Sequence, residues 1–186
     1  SVEICSATWF PAEEDDREYV ISSAIFGDGA SAAIVAMSED KRYPALVDFE
    51  SFYDPRYLDL LVYKWEDGRL KVVLSREVPR IVPPLIRAVV DRILSRNGLT
   101  RGDIASWIIH PGGKTVLENI ERELGLNRSQ TRHSWEVMRE YGNVSSATLG
   151  IIGKFTQAED APTGWGLAVT MGAGTGVQAM LCRWGE

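Results

Sequence analysis

The spacing of apolar residues predicts a long helix near the middle of the chain. Between residues 85 and 94, apolar side chains recur every three to four positions, which is the spacing of one helix face. Pro79 and the pair Pro83-Pro84 are expected at the entry to this helix, because proline is tolerated in a first helical turn. Asn97 and the glycine that follows it are typical of a helix end.

Three further segments also have a helical pattern. Residues 113–124 predict an amphipathic helix, and residues 134–140 and 144–155 predict two shorter ones. Asn143 is suited to cap the last of these helices, since its side chain can accept a hydrogen bond from the backbone. The apolar stripe of the amphipathic helix consists of Val116, Leu117, Ile120 and Leu124.

Runs of β-branched and small residues predict strands between these helices. The runs cover 1–10, 30–37, 46–53, 70–74, 164–170 and 177–183, with a short buried strand in 103–109 that ends at His110. The last two runs are joined by a glycine-rich turn and could pair as a hairpin. Strands that alternate with helices predict a layered α/β unit, and we expect residues 1–186 to form a single domain.

Composition and charge restrict the class of protein. With 45% hydrophobic residues in 186, the chain can bury a sizeable core. Its net charge of −6, without a block of Lys or Arg, argues against nucleic acid or an anionic membrane as a partner. No apolar run approaches the roughly 20 residues that span a bilayer. Cys5 and Cys182 lack metal-ligand spacing, so we interpret them as buried reduced thiols, which fits a cytoplasmic location.

Two polar residues stand in contexts that suggest chemistry. His110 follows the apolar run 107–109, and Asn143 lies between a glycine and two serines, 143 − 110 = 33 residues further on. A neutral imidazole and a primary amide can both donate to one carbonyl oxygen, as in an oxyanion hole. A buried histidine at a strand end and a helix cap are the alternatives. His133 has no partner pattern, so we expect it on the surface, and the acidic stretch 13–16 is expected to be a solvated loop.

The motifs around these residues resemble the C-terminal half of type III polyketide synthases, the chalcone and stilbene synthase family. The matching segments are Trp107-Ile-Ile-His-Pro-Gly-Gly, Glu140-Tyr-Gly-Asn-Val-Ser-Ser-Ala, Phe26-Gly-Asp-Gly-Ala and Gly164-Trp-Gly-Leu-Ala-Val-Thr-Met-Gly-Ala-Gly. Their order and the His-to-Asn spacing follow the family. The resemblance implies an α/β fold that is the C-terminal half of a thiolase-like αβαβα arrangement, with a five-stranded mixed sheet flanked by helices.

The resemblance also implies an activity. The family condenses an acyl-CoA starter with malonyl-CoA by decarboxylative Claisen condensation on a cysteine nucleophile, without metal or redox cofactor. That cysteine is expected upstream of Ser1, and Cys5 matches a different cysteine of the family. We therefore expect this chain to be inactive alone, to need its own N-terminal domain, and to belong to a homodimer.

Individual site residues follow from the same resemblance. It makes His110 and Asn143 the oxyanion hole, and it places the pantetheine arm of coenzyme A beside Gly112 and Gly113. The remaining implied positions are Thr115 and Ser145 along the tunnel, Phe10 and Val72 as the two gatekeepers, and Thr170, Met171 and Ala173 in the loop that shapes the product. A valine at the second gatekeeper predicts a wider passage than in a chalcone synthase.

Two other functions remain open on the sequence. A 3-oxoacyl-ACP synthase III shares the fold and the Tyr-Gly-Asn segment, but it has His-Gln-Ala-Asn where this chain has His-Pro-Gly-Gly. Such an enzyme needs a basic surface for its acyl carrier protein, and Lys114 and Arg122 give only a small one. The third possibility is a non-catalytic folding or dimerisation domain.

Overall fold

A mixed four-stranded sheet forms the centre of the computed structural model, which describes residues 1–10, 17–66, 68–160 and 162–185. In spatial order its strands are β3 (Ala45–Phe52), β8 (Gly176–Trp184), β7 (Gly164–Gly172) and β6 (Ile104–Ile109). Both neighbours of β8 run antiparallel to it, and β6 runs parallel to β7. The predicted hairpin is confirmed, since β7 and β8 pair along their whole length.

Helices cover both faces of this sheet. Trp107 and Ile109 point to one face and join the large core, whereas Ile108 points to the other, as the alternation of a strand requires. The prediction of an α/β unit with a mixed sheet flanked by helices is therefore confirmed. The large core contains α2 (Val78–Arg96) and α3 (Lys114–Leu124), and the smaller core contains α4 (Arg132–Tyr141) and α5 (Ala147–Phe155).

Smaller elements lie beside the sheet. The strands β4 (Leu61–Glu66) and β5 (Arg69–Leu74) form a hairpin, of which the sequence analysis predicted only the second strand. Two residues of β1 (Val2–Glu3) pair with two of β2 (Gly29–Ala30), and α1 (Arg17–Ile25) lies between them in the chain. The acidic stretch 13–16 falls outside the described residues. Within those residues, no helix combines the length and apolar character that crossing a membrane requires.

The expected strand over 30–37 is wrong beyond its first residue. Ile34, Val35 and Met37 are 98%, 76% and 103% exposed, and residues 31–40 have no regular structure. A strand needs a neighbour for its backbone N–H and C=O groups, and in the described part of the chain only Val2–Glu3 pairs there. In the part of the chain that the structure describes, the main sheet therefore has four strands, where five were expected. The strand expected over 1–10 is likewise reduced to two residues, followed by the 3-10 turn Cys5–Thr8.

The helix α2 begins earlier than predicted and contains two prolines. It starts at Val78, with Pro79 in its first turn and Pro83 and Pro84 inside it. Because Pro83 has no N–H, it cannot donate to the carbonyl of Pro79, four residues earlier. Asn119 of α3 supplies the missing donor, with its Nδ2 at 2.7 Å from the Pro79 oxygen. The neighbouring helix thus replaces the hydrogen bond that is lost at Pro83. Pro84 likewise has no N–H to donate to the carbonyl of Arg80.

Candidate active site

His110 lies at the carboxyl end of β6, where the sheet meets α4. Its backbone N–H donates to the carbonyl of Val169 at 2.9 Å, which extends the pairing of β6 and β7 by one residue. The hydroxyl of Ser134 donates to the carbonyl of Ile109 at 2.7 Å. His110 itself is only 6% exposed, and burial lowers the pKa of its imidazole to about 4. At neutral pH the ring is therefore uncharged, with one N–H donor and one lone pair.

The turn after His110 leads the chain into α3. Gly112 has φ +64, which glycine adopts more readily than other residues. A Cβ atom at this position would also meet Cε of Met171 at 2.6 Å. Gly113 then directly precedes the first residue of α3. The positive φ therefore favours glycine at position 112, whereas the contact with the flexible end of Met171 would require only a shift of that side chain.

Asn143 is joined to this turn through its side chain. Its Nδ2 donates to the carbonyl of Gly112 at 3.0 Å, and its Oδ1 accepts from the backbone N–H of Ser145 at 2.9 Å. The amide group carries two hydrogens, so one remains for another acceptor. Asn143 is not the cap that was predicted, because α5 begins at Ala147. The Asn143 amide thus contacts the backbone of Gly112, which is two residues after His110 in the chain.

The backbone around Asn143 is paired with the Phe26-Gly-Asp-Gly segment. The N–H of Asn143 donates to the carbonyl of Ile25 at 2.7 Å, and the N–H of Gly27 donates to the carbonyl of Asn143 at 2.9 Å. Glycines allow this close approach: a Cβ atom at Gly27 would lie 2.5 Å from the oxygen of Tyr141, and one at Gly142 would lie 2.7 Å from that of Ile25. Two motifs that are far apart in the sequence thus form one structural unit.

A cavity of about 260 Å³ is lined in part by this segment. Val72, one of the two expected gatekeepers, lines it, but Phe10 does not. Phe10 instead stacks on Tyr19, with ring centroids 4.0 Å apart, beneath the guanidinium of Arg69. Phe26 lines the cavity and also pairs with Asn143 through its backbone. Phe26 is therefore a pocket residue that was not among the site residues expected from the sequence.

The other expected pocket residues lie at different depths. Thr115 is exposed in the first turn of α3, and Ser145 has a positive φ of 50° next to Asn143. Met171 is buried in the large core against Gly112. Thr170 precedes it at the end of β7, and Ala173 is exposed in the turn that follows.

Neither cysteine of the chain is activated as a nucleophile. Burial raises the pKa of the Cys182 thiol to about 11, and Cys182 is 1% exposed. Burial, with the charges of Glu3 and Asp28, also raises the pKa of the half-buried Cys5 thiol. Reactive cysteines have a lowered pKa and a stable thiolate, so these two thiols are unsuited to attack a thioester.

The surface beside α4 differs from the expectation in two respects. His133 is buried, with 4% exposure, and its ring contacts carboxylates on both sides, so its predicted surface position is wrong. A groove of about 540 Å³ carries more positive charge than Lys114 and Arg122 alone suggested, although Arg122 does not line it. The lining residues are Lys114, Arg128, Arg132, Trp135, Glu136, Met138 and Arg139.

Known proteins resemble this chain in sequence. The 3,5-dihydroxyphenylacetyl-CoA synthase of Amycolatopsis orientalis is 35% identical over 188 residues, which cover 98% of this chain and 50% of that protein. A putative chalcone synthase of Bacillus subtilis is 28% identical over 193 residues, covering 99% and 53%. The chain therefore spans about half the length of these curated relatives.

Solved structures agree with the sequence relatives. The crystal structure of PKS-I from the brown alga Ectocarpus siliculosus matches with a TM-score of 0.82 and 27% identity, covering 98% of this chain and 51% of that one. The C-terminal type III polyketide synthase domain of Steely1, a hybrid synthase from Dictyostelium, has a TM-score of 0.78 at 22% identity and supports the fold alone. It covers 100% of this chain and 53% of the other.

The family model of chalcone and stilbene synthases, C-terminal domain, matches residues 59–184, more than half of the chain. This range includes His110, Gly112 and Asn143, and it leaves out the Phe26 motif that pairs with Asn143. The chain therefore belongs to the chalcone and stilbene synthase family of type III polyketide synthases, whose C-terminal domain it carries.

Proposed function

We propose that this chain supplies the oxyanion hole of a type III polyketide synthase, with His110 and Asn143 as its two donors. The observation that supports this most directly is the hydrogen bond from Asn143 Nδ2 to Gly112, because it joins the amide to the turn that follows His110. A donor pair fixed before substrate arrives stabilises developing charge without reorganisation.

The neutral state of His110 suits a reaction that passes through a carbanion. When malonyl-CoA loses CO2, the electrons of the broken bond form an enolate of acetyl-CoA, with charge on the thioester oxygen. An imidazolium would protonate the enolate carbon and end the reaction, whereas a neutral imidazole only donates a hydrogen bond. Burial keeps the pKa of His110 near 4, so the neutral form dominates at physiological pH.

Asn143 contributes a second donor that cannot release a proton to the enolate. One amide hydrogen is used for Gly112 and the carbonyl oxygen is held by Ser145, so the remaining hydrogen has a fixed direction. The enolate carbon would then attack a starter acyl group held as a thioester, releasing the cysteine thiolate and forming a β-ketoacyl-CoA. Since the pKa values of Cys5 and Cys182 are raised, we assign that cysteine to a part of the protein outside this chain.

A carrier-protein-dependent condensing enzyme is the second candidate, and the basic groove favours it. Lys114 and three arginines line one groove at the start of α3, four residues beyond His110. Such a surface attracts anionic groups, which could be the phosphates of coenzyme A or the acidic face of an acyl carrier protein. Coenzyme A and an acyl carrier protein both present anionic groups to such a groove. An experiment that supplies the acyl groups on coenzyme A alone therefore distinguishes the two functions.

The test uses the full-length protein with labelled malonyl-CoA and a panel of acyl-CoA starters, with no carrier protein present. We expect labelled polyketides, and we expect His110→Gln and Asn143→Ala to lower kcat about 10²- to 10³-fold each. Release of labelled CO2, measured separately from chain extension, should fall in parallel, because both donors act on the enolate.

Asn127→Ala is the matched control, since Asn127 makes its side-chain contacts only within the surface turn before α4. It should leave turnover unchanged. Unaltered CO2 release in both active-site variants would contradict the oxyanion-hole assignment. Products that form only when acyl carrier protein is added would assign the protein to the carrier-dependent class.

A further inference from the structure

A buried histidine outside the candidate active site lies among three carboxylates. The Nδ1 atom of His133 is 3.3 Å from Oε2 of Glu136 and 4.0 Å from Oε2 of Glu159. Its Nε2 atom lies 3.2 Å from both carboxylate oxygens of Asp160. The His133 side chain is 5% exposed, whereas those of Glu136 and Glu159 are 39% and 53% exposed.

Each ring nitrogen of His133 faces its own carboxylates. Nε2 faces Asp160, and Nδ1 faces Glu136 and Glu159. With the proton on Nε2, Nδ1 presents a lone pair that can bind a metal ion together with the two glutamates.

Two of the three carboxylates are available as ligands. Arg132 forms an ion pair with Asp160. In the described part of the chain, the close charged contacts of Glu136 and Glu159 involve His133 alone, although Glu136 also lines the basic groove.

We propose that His133, Glu136 and Glu159 bind a divalent transition-metal ion such as Zn²⁺, with Asp160 orienting the histidine. The proposal is independent of the proposed catalytic function. The three ligand atoms lie within 4.8 Å of one another. Zinc bonds of about 2.0–2.2 Å in tetrahedral geometry place ligand atoms about 3.3 Å apart, so small side-chain movements complete the site. The partly exposed carboxylates leave the fourth position open to water.

The contact between Asp160 and Nε2 is the second-shell arrangement that metal-binding histidines usually show. Such histidines donate their other ring N–H to a carboxylate or carbonyl, which fixes the tautomer and the ring orientation. Here the ligands come from α4 and from the turn Thr156–Asp160 after α5. A bound ion would therefore fasten the end of α5 to the start of α4, the two helices that flank the Asn143 loop.

The sequence contains a partial signal for this site. His133 and Glu136 are three residues apart on a helix, which puts them on one face. The third ligand is 159 − 133 = 26 residues away, across the Asn143 loop and α5. Because the third ligand is so far along the chain, the spacing of residues in the sequence does not predict a metal site.

The test is metal binding to the chelator-stripped full-length protein. We expect saturable binding of Zn²⁺ by calorimetry and a visible absorption band of bound Co²⁺. Glu159→Gln and His133→Gln should each weaken binding of the ion at this site at least tenfold, and Asp160→Asn should weaken it 10- to 100-fold. Glu140→Gln is the matched control: Glu140 lies on α4, pairs with Arg139, and should leave binding unchanged.

The half-exposed Glu159 guards against misfolding of the buried-histidine variant, since removing its charge should not disturb the core. Binding that is equal in the wild type, Glu159→Gln and His133→Gln would overturn the proposal. So would an NMR spectrum in which both His133 ring nitrogens keep their protons when Zn²⁺ is in excess, because the ring would then be an imidazolium held between carboxylates.

Discussion

At the scale of single residues, Gly142 most directly determines where Asn143 lies. It has φ +72, and a Cβ atom there would be 2.7 Å from the carbonyl oxygen of Ile25. We predict that Gly142→Ala destabilises the protein through two effects. Together with its ψ of −156, this φ places Gly142 in a backbone region that is essentially restricted to glycine and costs other residues about 1–3 kcal/mol. The crowded contact adds roughly 1–3 kcal/mol. Chemical denaturation would measure the sum.

Gly98→Ala is the comparison variant without a contact. Gly98 also has a positive φ, +68, but no described atom lies within 4 Å of its would-be Cβ. We expect this variant to destabilise the protein less than Gly142→Ala and to keep the geometry of the site. Destabilisation by Gly142→Ala that does not exceed that of Gly98→Ala would contradict the prediction.

Residue chemistry explains which site residues the sequence could predict. His110 and Asn143 carry donors in motifs with a defined spacing, and the structure joins their loops through Gly112. His133 was wrongly expected on the surface, because a single helix pattern does not reveal Asp160, which arrives 27 residues later from another element.

At the scale of elements, the Pro79 carbonyl links α2 to α3. We predict that Asn119→Ala destabilises the protein by about 1–3 kcal/mol, because the carbonyl loses its donor and Asn119 is partly buried. Pro83→Ala restores an N–H that can donate to Pro79 within the helix. In a double-mutant cycle, Asn119→Ala should therefore be less damaging in the Pro83→Ala background. Additive effects on the unfolding free energy would contradict this coupling.

Elements that bury one face against a neighbour could be predicted, and those that need a distant partner could not. The apolar stripe of α3 is buried as expected, at Val116, Leu117, Ile120 and Leu124. Residues 31–37 have the composition of a strand, but composition does not show whether a neighbouring strand is available. The start of α2 was predicted too late because Pro83 and Pro84 were expected at its entry. The donor that replaces the N–H missing at Pro83 belongs to α3 and could not be inferred from the pattern of α2.

At the scale of the whole molecule, burial of His110 makes global stability depend on pH. The folded pKa is about 4 and the unfolded value is about 6.5, so acid protonates the unfolded chain first. We predict that stability is fully present above pH 6.5 and declines as the pH falls towards 4, by about 3 kcal/mol in total. Denaturation curves recorded across this range would measure the decline.

Carboxylates also titrate at the lower end of this range, so the comparison variant is His110→Gln. The difference between wild type and variant isolates the histidine, and the variant should lose less stability between pH 6.5 and 4. Parallel pH profiles would show that His110 is more accessible to solvent in solution than its 6% exposure indicates.

The pairing of Phe26 with Asn143 also has a consequence for synthesis of the chain. The two residues are 143 − 26 = 117 positions apart, and ribosomes add roughly 5–20 residues per second. The earlier segment therefore waits about 6–23 s before its partner has been made. During that interval Gly27 lacks its hydrogen bond to the carbonyl of Asn143, whereas the partner of Asp28, Ser6, is already present. Closing so long a loop is a slow, non-local step, so we expect the Asn143 amide to reach its final position late in folding, after local helices such as α3 have formed.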